Sequence, residues 1–482
     1  MLQDAKDRAK WKARLIGWCD DLSDHLARPV VKLAAETLFG ILASGSLRQA
    51  EIARALKEPC RLHHTQKRLS RMLSRHSELA WAAEQLQLQR ITPYITDDMV
   101  LAIDPGDLNR DGAPASEYRT RVRDGDTGEI VGGYPLISVV ARDLRRGTTW
   151  PLLTRLLSPA RGGYRSENTD ILSVMDTVQR HVEGRPLWVI DRGGDRGRLW
   201  DAWLRAERHV LVRAANQRFW QWRDTAKTSQ QIARDLPLKH RGHLRRGQHI
   251  PVRFGITKVT LREHPETPLW MIVVDHEKSE RLVLVTTRPV RGRRQGERMI
   301  QAYLDRWACE EGYRFTKQGF DLEGVQARRF TTLQNLVALA SLAWALLAAY
   351  QDRAPELVRH AQRQKRHHRL IFPFYSLQRG WQRLFAQGRS VFYPSGEERQ
   401  TPRHEYQTCS PPQEDYADDT PENGETLDPP PLALHPKYPA TLLPYCCRLT
   451  HSAWRFCHPQ AVPLGPSLPA RCFGAGSYRA RQ

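Results

Sequence analysis

Apolar positions recur at helical spacing through the first 90 residues. The stretch Val30–Ala43 is apolar at intervals of three and four residues, which predicts an amphipathic helix. Two further helical segments flank a break at Pro59 and Cys60, and Lys and Arg recur on the second: SLRQAEIARALKE and HTQKRLSRMLSRH. We predict a helical region over residues 1–90. It is either a helix-turn-helix-like DNA-binding unit or a helical bundle with a solvated basic face.

The period changes after Met99. Three segments of extended character come first: MVLAID, GYPLISVVARD and TTWPLLTRLLSP. Helical and extended segments then alternate: NTDILSVMDTVQRHV, PLWVID, GRLWDAWLRAE and HVLVRA. Strands in a meander, followed by strands alternating with helices, predict a mixed α/β fold over residues 95–213.

The remaining sequence divides by composition. Residues 214–290 hold three strand candidates and read as a β-rich insertion. Helical patterns return over 291–352, where an apolar run from Leu336 to Tyr350 is short for a membrane span and predicts a buried helix. A basic helical segment over 353–392 follows. The tail, 393–482, is rich in Pro, Asp and Glu along its first half and is predicted to be disordered.

The net charge of the chain indicates which class of partner it binds. Its 482 residues allow two or three domains, and its formal net charge is +21. Basic residues recur along the whole chain, which favours nucleic acid over an acidic lipid surface or non-specific attraction.

Two absences in the sequence exclude other classes. None of the eight cysteines forms a CxxC pair, so neither a zinc site nor a disulfide framework is indicated. The N-terminus, MLQDAKDRAKWKARL, is charged from the start and has no apolar core, so we expect a cytoplasmic protein without a membrane partner.

Four polar residues share one face of a predicted helix, Tyr303–Lys317. At about 100° per residue, Tyr303, Arg306, Glu310 and Lys317 project within about 60° of one another. Alone, this stripe is better explained as a solvated salt-bridge face, because Arg306 and Glu310 are an i,i+4 pair.

Two aspartates change that interpretation. Asp104 ends the run MVLAID and Asp191 ends PLWVID, and the rim of a sheet is where α/β sites form. With Glu310 they would supply three oxygen ligands for Mg²⁺, a set that suits phosphoryl transfer by two metal ions. An Asp in a strand-ending turn is the plainer explanation of each, and Asp107 and Asp195 are nearby alternatives.

If Glu310 binds metal, its neighbours acquire roles as well. Arg306 and Lys317 would contact the phosphates of flanking DNA, and Tyr303 a nearby phosphate or base. Since Mg²⁺ prefers oxygen ligands, carboxylates on both strands and the helix are the side chains that such a site requires.

The spacing Y-x2-R-x3-E-x6-K resembles the signature of one large family of bacterial insertion-sequence transposases of the DDE type. The order of features resembles that family too: an Asp on a first strand, an Asp followed by glycines in DRGGD, a β-rich insertion and the signature helix. The resemblance covers roughly residues 95–350, and the tail after 393 has no counterpart in it.

The resemblance implies a ribonuclease H-like catalytic core, preceded by a helical region that recognises the terminal inverted repeats of a mobile element. It implies cut-and-paste transposition with two Mg²⁺ ions, for which Mn²⁺ can substitute. It further implies cleavage through a hairpin, a homodimer that bridges two DNA ends, and strand transfer into target DNA. In relatives an aromatic residue of the insertion stacks on a flipped base; Trp220 and Trp222 are candidates, with burial in the insertion core as the alternative.

Two other classes remain open from the sequence. One is a transposase-derived DNA-binding protein that no longer cleaves, and the other is a different ribonuclease H-like nuclease such as a junction resolvase. The complete set Asp104, Asp191 and Glu310 argues against the first class. Arg306 and Lys317 beside Glu310 favour the transposase over the second.

Overall fold

Five helices form the N-terminal region. The computed structural model describes residues 2–246, 248–275, 281–361, 372–386 and 390–393. The helices are α1 (Leu2–Asp20), α2 (Arg28–Ser44), α3 (Gln49–Leu56), α4 (Leu62–Arg75) and α5 (Glu78–Ile91). The helix α2 has a proline in its first turn and ends at Gly45, whose φ of 68° allows its N–H to bond Ile41. The predicted helical region is therefore present.

The next segment builds a mixed sheet with helices between its later strands. Its elements are β1 (Val100–Asn109), β2 (Thr120–Arg123), β3 (Ile130–Arg142), β4 (Thr149–Leu156), α6 (Glu167–Gln179), β5 (Leu187–Ile190), α7 (Gly197–Arg205) and β6 (Val210–Arg213). Strands β1, β3 and β4 form an antiparallel meander, whereas β5 runs parallel to β1 and β6 parallel to β5. The mixed α/β prediction is confirmed.

The register of β1 and β5 places two aspartates side by side. Ala102 pairs with Val189 in the parallel ladder, and two residues further along stand Asp104, within β1, and Asp191, directly after β5. The prediction that Asp104 ends its strand is wrong, because β1 continues to Asn109 through its pairing with β3.

The β-rich insertion extends this same sheet. Its elements are β7 (Phe219–Trp222), β8 (Thr225–Thr228), α8 (Ser229–Asp235), β9 (His240–Arg246), β10 (Gln248–Leu261), β11 (His264–Asp275) and β12 (Leu282–Thr286). Strand β12 pairs antiparallel with β6. Among the described residues this makes a twelve-stranded sheet in the order β2-β3-β1-β5-β6-β12-β11-β10-β7-β8, with β4 beside β3 and β9 beside β10.

Two helices occupy the segment for which one helix is predicted. They are α9 (Arg293–Asp305) and α10 (Trp307–Gly319). The prediction of a single helix is wrong because tighter three-residue hydrogen bonds interrupt the helical pattern at Arg306: its N–H bonds Tyr303, and the N–H of Cys309 bonds Arg306. The helix α9 packs against β5, β6 and β11, whereas α10 packs against β1 and β3.

A long apolar helix joins the N-terminal helices to the sheet. The last three described helices are α11 (Phe330–Ala349), α12 (Pro355–Ala361) and α13 (Phe374–Ala386). In length and composition α11 could cross a membrane, but it is mostly buried and packs against β4, α2, α4 and α5. Its Asn335 side chain also donates to the carbonyls of Leu73 and His76. The apolar run is thus a core helix of this fold.

One glycine allows α10 to approach α11 closely. A Cβ at Gly312 would collide with the ring of Trp344, which is 1% exposed. Because that Cβ is absent, the two helices pack tightly only two residues from Glu310, which helps to set the position of its carboxylate. The predicted tail beyond residue 393 and the basic run at 363–370 lie outside the described residues.

Candidate active site

The carboxylates of Asp104 and Glu310 share one guanidinium. Arg306 donates through Nη1 to Asp104 Oδ1 at 3.2 Å and through Nη2 to Glu310 Oε1 at 2.5 Å. Arg306 is only 8% exposed, whereas 40% of the Glu310 side chain is exposed. The buried cation of Arg306, between α9 and α10, therefore links strand β1 to helix α10.

Asp191 joins the group from the neighbouring strand. The hydroxyl of Tyr303 donates to Asp191 Oδ1 at 2.8 Å. Burial would raise the pKa of Asp191, but the charge of Arg306, the N–H of Arg192 and the Tyr303 hydroxyl outweigh it and lower that pKa. Burial and the Asp191 charge raise the pKa of Tyr303, so its hydroxyl stays a proton donor.

The site carries more negative than positive charge. Burial, followed by the charges of Glu310 and Asp191, raises the pKa of Asp104 to about 7 against the opposing effect of Arg306. Three carboxylates, Asp104, Asp191 and Glu310, face the buried cation of Arg306, and Arg213 adds a second positive charge near Asp191. Burial is the main reason that the pKa of Asp104 is raised, and a divalent cation would neutralise the remaining negative charge.

The three carboxylates are suitable ligands for Mg²⁺, but their present arrangement does not form a metal site. All three acidic side chains offer oxygen ligands. Within the described part of the chain, however, no three His, Cys, Asp or Glu side chains lie close enough together to share an ion. The Arg306 guanidinium stands between Asp104 and Glu310, so binding a metal there requires that it move aside.

Lys317 lies apart from these carboxylates. Its Nζ pairs with Glu323 at 2.8 Å and Asp126 at 3.2 Å, and only 12% of its side chain is exposed. Seven residues of helix separate it from Glu310, about 10 Å along the axis. A shared helix face therefore did not bring the two side chains to one site, and a DNA phosphate would have to displace the partners of Lys317.

Lys317→Met should lower the free energy of unfolding by about 1–2 kcal/mol, since its partners are partly exposed and remain solvated. It should leave the salt dependence of DNA binding unchanged. Urea denaturation and DNA titrations at several salt concentrations measure both effects. A fall in the salt slope of about one would instead show that Lys317 contacts a phosphate.

The two alternative aspartates have structural partners. Asp107 Oδ1 accepts from the N–H of Gly125, and burial raises its pKa. Asp195 is fully buried and accepts from Trp200 Nε1, the N–H of Ala215 and Arg218 Nε. The pKa values of Asp104 and Asp191 both respond to the charge of Arg306.

Trp220 and Trp222 fill the core of the insertion. They are 1% and 3% exposed, and their indole N–H groups donate to Ser229 Oγ and Thr257 Oγ1, each at 2.8 Å. The prediction that one of them stacks on a DNA base is wrong for this structure, because neither ring face is accessible. The exposed aromatic residue of β7 is Phe219, at 63%.

Sequence reasoning also missed Arg213. It ends β6 beside β5, and its charge acts on both Asp191 and Tyr303. The signal was available, because Arg213 directly follows the apolar run VLV, as Asp104 and Asp191 directly follow apolar runs.

Comparisons with known proteins add a distant likeness. No protein-family model matches the chain, and no curated protein matches it. It is similar to a solved cryo-electron microscopy structure of the piggyBac transposase synaptic complex with hairpin DNA. That alignment covers 78% of this chain and 76% of the other, at 11% identity and a TM-score of 0.39. Similarity at this level establishes neither a shared fold nor a shared activity.

Proposed function

We propose that this protein is a DNA transposase that cleaves the ends of a mobile element and joins them to target DNA. The observation that carries the proposal is the convergence of Asp104, Asp191 and Glu310 around Arg306. Three separate segments contribute these carboxylates, and their excess negative charge lies where β5 ends beside β1.

The topology supports a ribonuclease H-like core for this site. An antiparallel meander of β1, β3 and β4 is followed by β5 and β6, which run parallel to β1 and are joined by a helix. The proposal is also supported by the order of the elements that carry the carboxylates: Asp104 on β1, Asp191 after β5 and Glu310 on α10.

The residues divide the chemistry among them. Asp104, Asp191 and Glu310 would hold two Mg²⁺ ions, which when bound activate the attacking water or hydroxyl and stabilise the leaving 3′ oxygen. Tyr303 orients Asp191 through its hydrogen bond. Arg306, once released from Asp104 and Glu310, would pair with a phosphate of the bound DNA.

The proposed course follows the family resemblance. One strand is cut at the end of the mobile element, its 3′ hydroxyl closes a hairpin on the opposite strand, and the reopened end attacks target DNA. If an insertion residue stacks on a base at the hairpin stage, Phe219 has the exposed ring. Phe219 follows Arg218 in the sequence. The guanidinium of Arg218 donates to Asp195, which lies four residues after Asp191.

The helix α4 supplies a basic face for binding the DNA duplex. His64, Lys67, Arg71 and Arg75 are exposed at spacings of three and four, and α4 contains no acidic residue. In the described part of the chain no carboxylate pairs with Lys67, Arg71 or Arg75. By contrast Arg68 turns inward to Glu36 and Glu58. With α3 before it, α4 has the position of a recognition helix.

Replacing Lys67, Arg71 and Arg75 together with Gln should weaken DNA binding and lower the salt slope of log K by up to about 2.7, because each phosphate left without its cation accounts for about 0.9. Fluorescence anisotropy on duplex DNA at several salt concentrations measures this slope. Gln substitutions at the exposed Arg146, Arg234 and Arg262 remove the same charge elsewhere and serve as the control. Equal decreases in both triple variants would mean that α4 has no special role.

The function is tested with a plasmid that carries the DNA flanking the gene on both sides. With Mg²⁺ the protein should nick the element ends, form hairpins and release the segment, while chelation should stop every step. Binding without cleavage under all metal conditions would identify a transposase-derived DNA-binding protein. Cleavage of branched junctions without preference for the ends would identify a resolvase.

A further inference from the structure

Two loops extend from the sheet edge that carries the catalytic carboxylates. Loop 110–119 follows β1 beyond Asp104, and loop 157–166 follows β4. The N–H of Leu157 bonds Pro135, which pairs with Asp107 across β1 and β3. The second loop thus starts about 10 Å beyond Asp104 in the strand direction.

Residues of both loops contact the ring of Phe330. The ring of Tyr118 meets Phe330 edge-on with centroids 5.8 Å apart, and the Arg161 guanidinium lies 5.8 Å from the same ring. Ser158 Oγ donates to the carbonyl of Tyr118 at 2.5 Å. Tyr118 adopts a φ of 53°, an unusual conformation for a bulky residue, and these contacts hold it there.

The second loop also reaches the segment after Asp191. Arg196 donates to Glu167 Oε2 at 2.8 Å and to Asn168 Oδ1 at 2.9 Å, at the start of α6. Tyr164 lies three residues before Glu167, near the end of the second loop, and burial together with the charges of Asp170 and Glu167 raises the pKa of its hydroxyl. The second loop therefore ends beside the segment that follows Asp191.

The surface of these two loops combines exposed rings with positive charge. Tyr118 is 49% exposed and Tyr164 is 38% exposed, although both are large aromatic residues. Arg161 and Arg165 are exposed, and no carboxylate among the described residues pairs with either of them. We call Tyr118, Arg161, Tyr164 and Arg165 the rim patch.

We propose that the rim patch binds a single-stranded segment of DNA next to the cleavage site. Bases stack on the rings of Tyr118 and Tyr164, while Arg161 and Arg165 pair with the phosphates. A duplex would not use the rings in this way, because its base faces are stacked on one another, whereas unpaired bases expose theirs. The inference rests on the proposed function in assuming that DNA is opened at this edge of the sheet.

Stacking is tested by titrating a labelled oligothymidylate with the full chain in the presence of chelator. The double variant Tyr118→Leu and Tyr164→Leu keeps apolar bulk but removes both rings, and should weaken binding about tenfold or more. The matching Phe variants keep the rings and should bind like the wild type. Tyr94→Leu, a partly exposed tyrosine preceding β1 at the opposite edge, is the control. Duplex binding should change less than about twofold.

Charge pairing is tested separately by the salt dependence of the same titration. Arg161→Gln with Arg165→Gln should lower the salt slope by about 1.4, or 0.7 for each single-strand phosphate that the pair neutralises. Arg145→Gln with Arg146→Gln removes equal charge from the exposed β3–β4 turn at the opposite edge and should leave the slope unchanged.

The proposal fails if the Leu variant binds oligothymidylate like the wild type, or if duplex binding falls by the same factor. A weakening that the Phe variants share would assign the effect to the hydroxyls and also overturn stacking. Neither result touches the proposed catalytic site, because these titrations contain no divalent metal. That site fails instead if cleavage survives without the Glu310 carboxylate.

Discussion

Glu310→Gln is expected to reduce Mg²⁺-dependent cleavage by at least about a hundredfold, beyond the usual effect of residues that merely support a metal ligand. Glutamine has the same size and its amide oxygen can still accept from Arg306, but it carries no negative charge. End binding should persist because the substitution leaves the basic face of α4 intact. Gel assays of nicking and hairpin formation, alongside anisotropy on the same DNA, separate the two effects.

The adjacent residue offers a matched control. Glu311 is on the same helix but pairs with Arg314 at 2.7 Å, and it has no hydrogen bond to Arg306 among the described contacts. Glu311→Gln should therefore cleave within a few-fold of the wild type. If Glu310→Gln cuts DNA normally in Mg²⁺, Glu310 does not hold the metal and the proposed catalytic set is wrong.

The second large effect is expected in stability. Arg306→Met removes the buried cation that faces Asp104, Asp191 and Glu310. Without metal, its free energy of unfolding should fall by about 3–5 kcal/mol, the typical result of leaving buried charge uncompensated. Adding Mg²⁺ should raise the free energy of unfolding more in this variant than in the wild type, because the guanidinium no longer competes with the metal for the carboxylates. Urea denaturation with chelator and with Mg²⁺ measures both quantities.

Arg314→Met is the control, since Arg314 is on α10 and its partner Glu311 is not part of the carboxylate group. It should lose less than about 1 kcal/mol and show no added response to Mg²⁺. Arg306→Lys keeps the charge, but an ammonium group cannot bridge two carboxylates as a planar guanidinium does. Its free energy of unfolding should therefore lie between those of Arg306→Met and the wild type. An Arg306→Met protein that loses stability but gains nothing from Mg²⁺ would exclude a divalent site among these carboxylates.

Short-range patterns predicted most of the elements correctly. The runs MVLAID and PLWVID became parts of β1 and β5, because short apolar runs have few alternatives to a buried strand. The apolar run through Leu336 became the core helix α11 for the same reason. Asp191 directly follows β5 as predicted, but Asp104 lies within β1, which continues to Asn109.

Helical geometry alone was a poorer guide around Glu310. A projection that treated Tyr303–Lys317 as one straight helix placed all four polar residues together, but the break at Arg306 and the length of α10 separate Lys317 from the others. Likewise the motif RFWQW did not reveal which ring faces outward. The sheet pairing that buries Trp220 and Trp222 and exposes Phe219 involves strands up to forty residues away.

The local sequence therefore sufficed for the strands, the helices and the candidate ligands, since each depends on a period or on a residue at an element's end. Only tertiary structure decided which charges meet. Asp104 and Arg306 are 202 residues apart, and Tyr303 and Asp191 are 112 apart. Such contacts arise when the register of β1 with β5 and the packing of α9 and α10 bring distant segments together. A local sequence pattern predicts neither this register nor this packing.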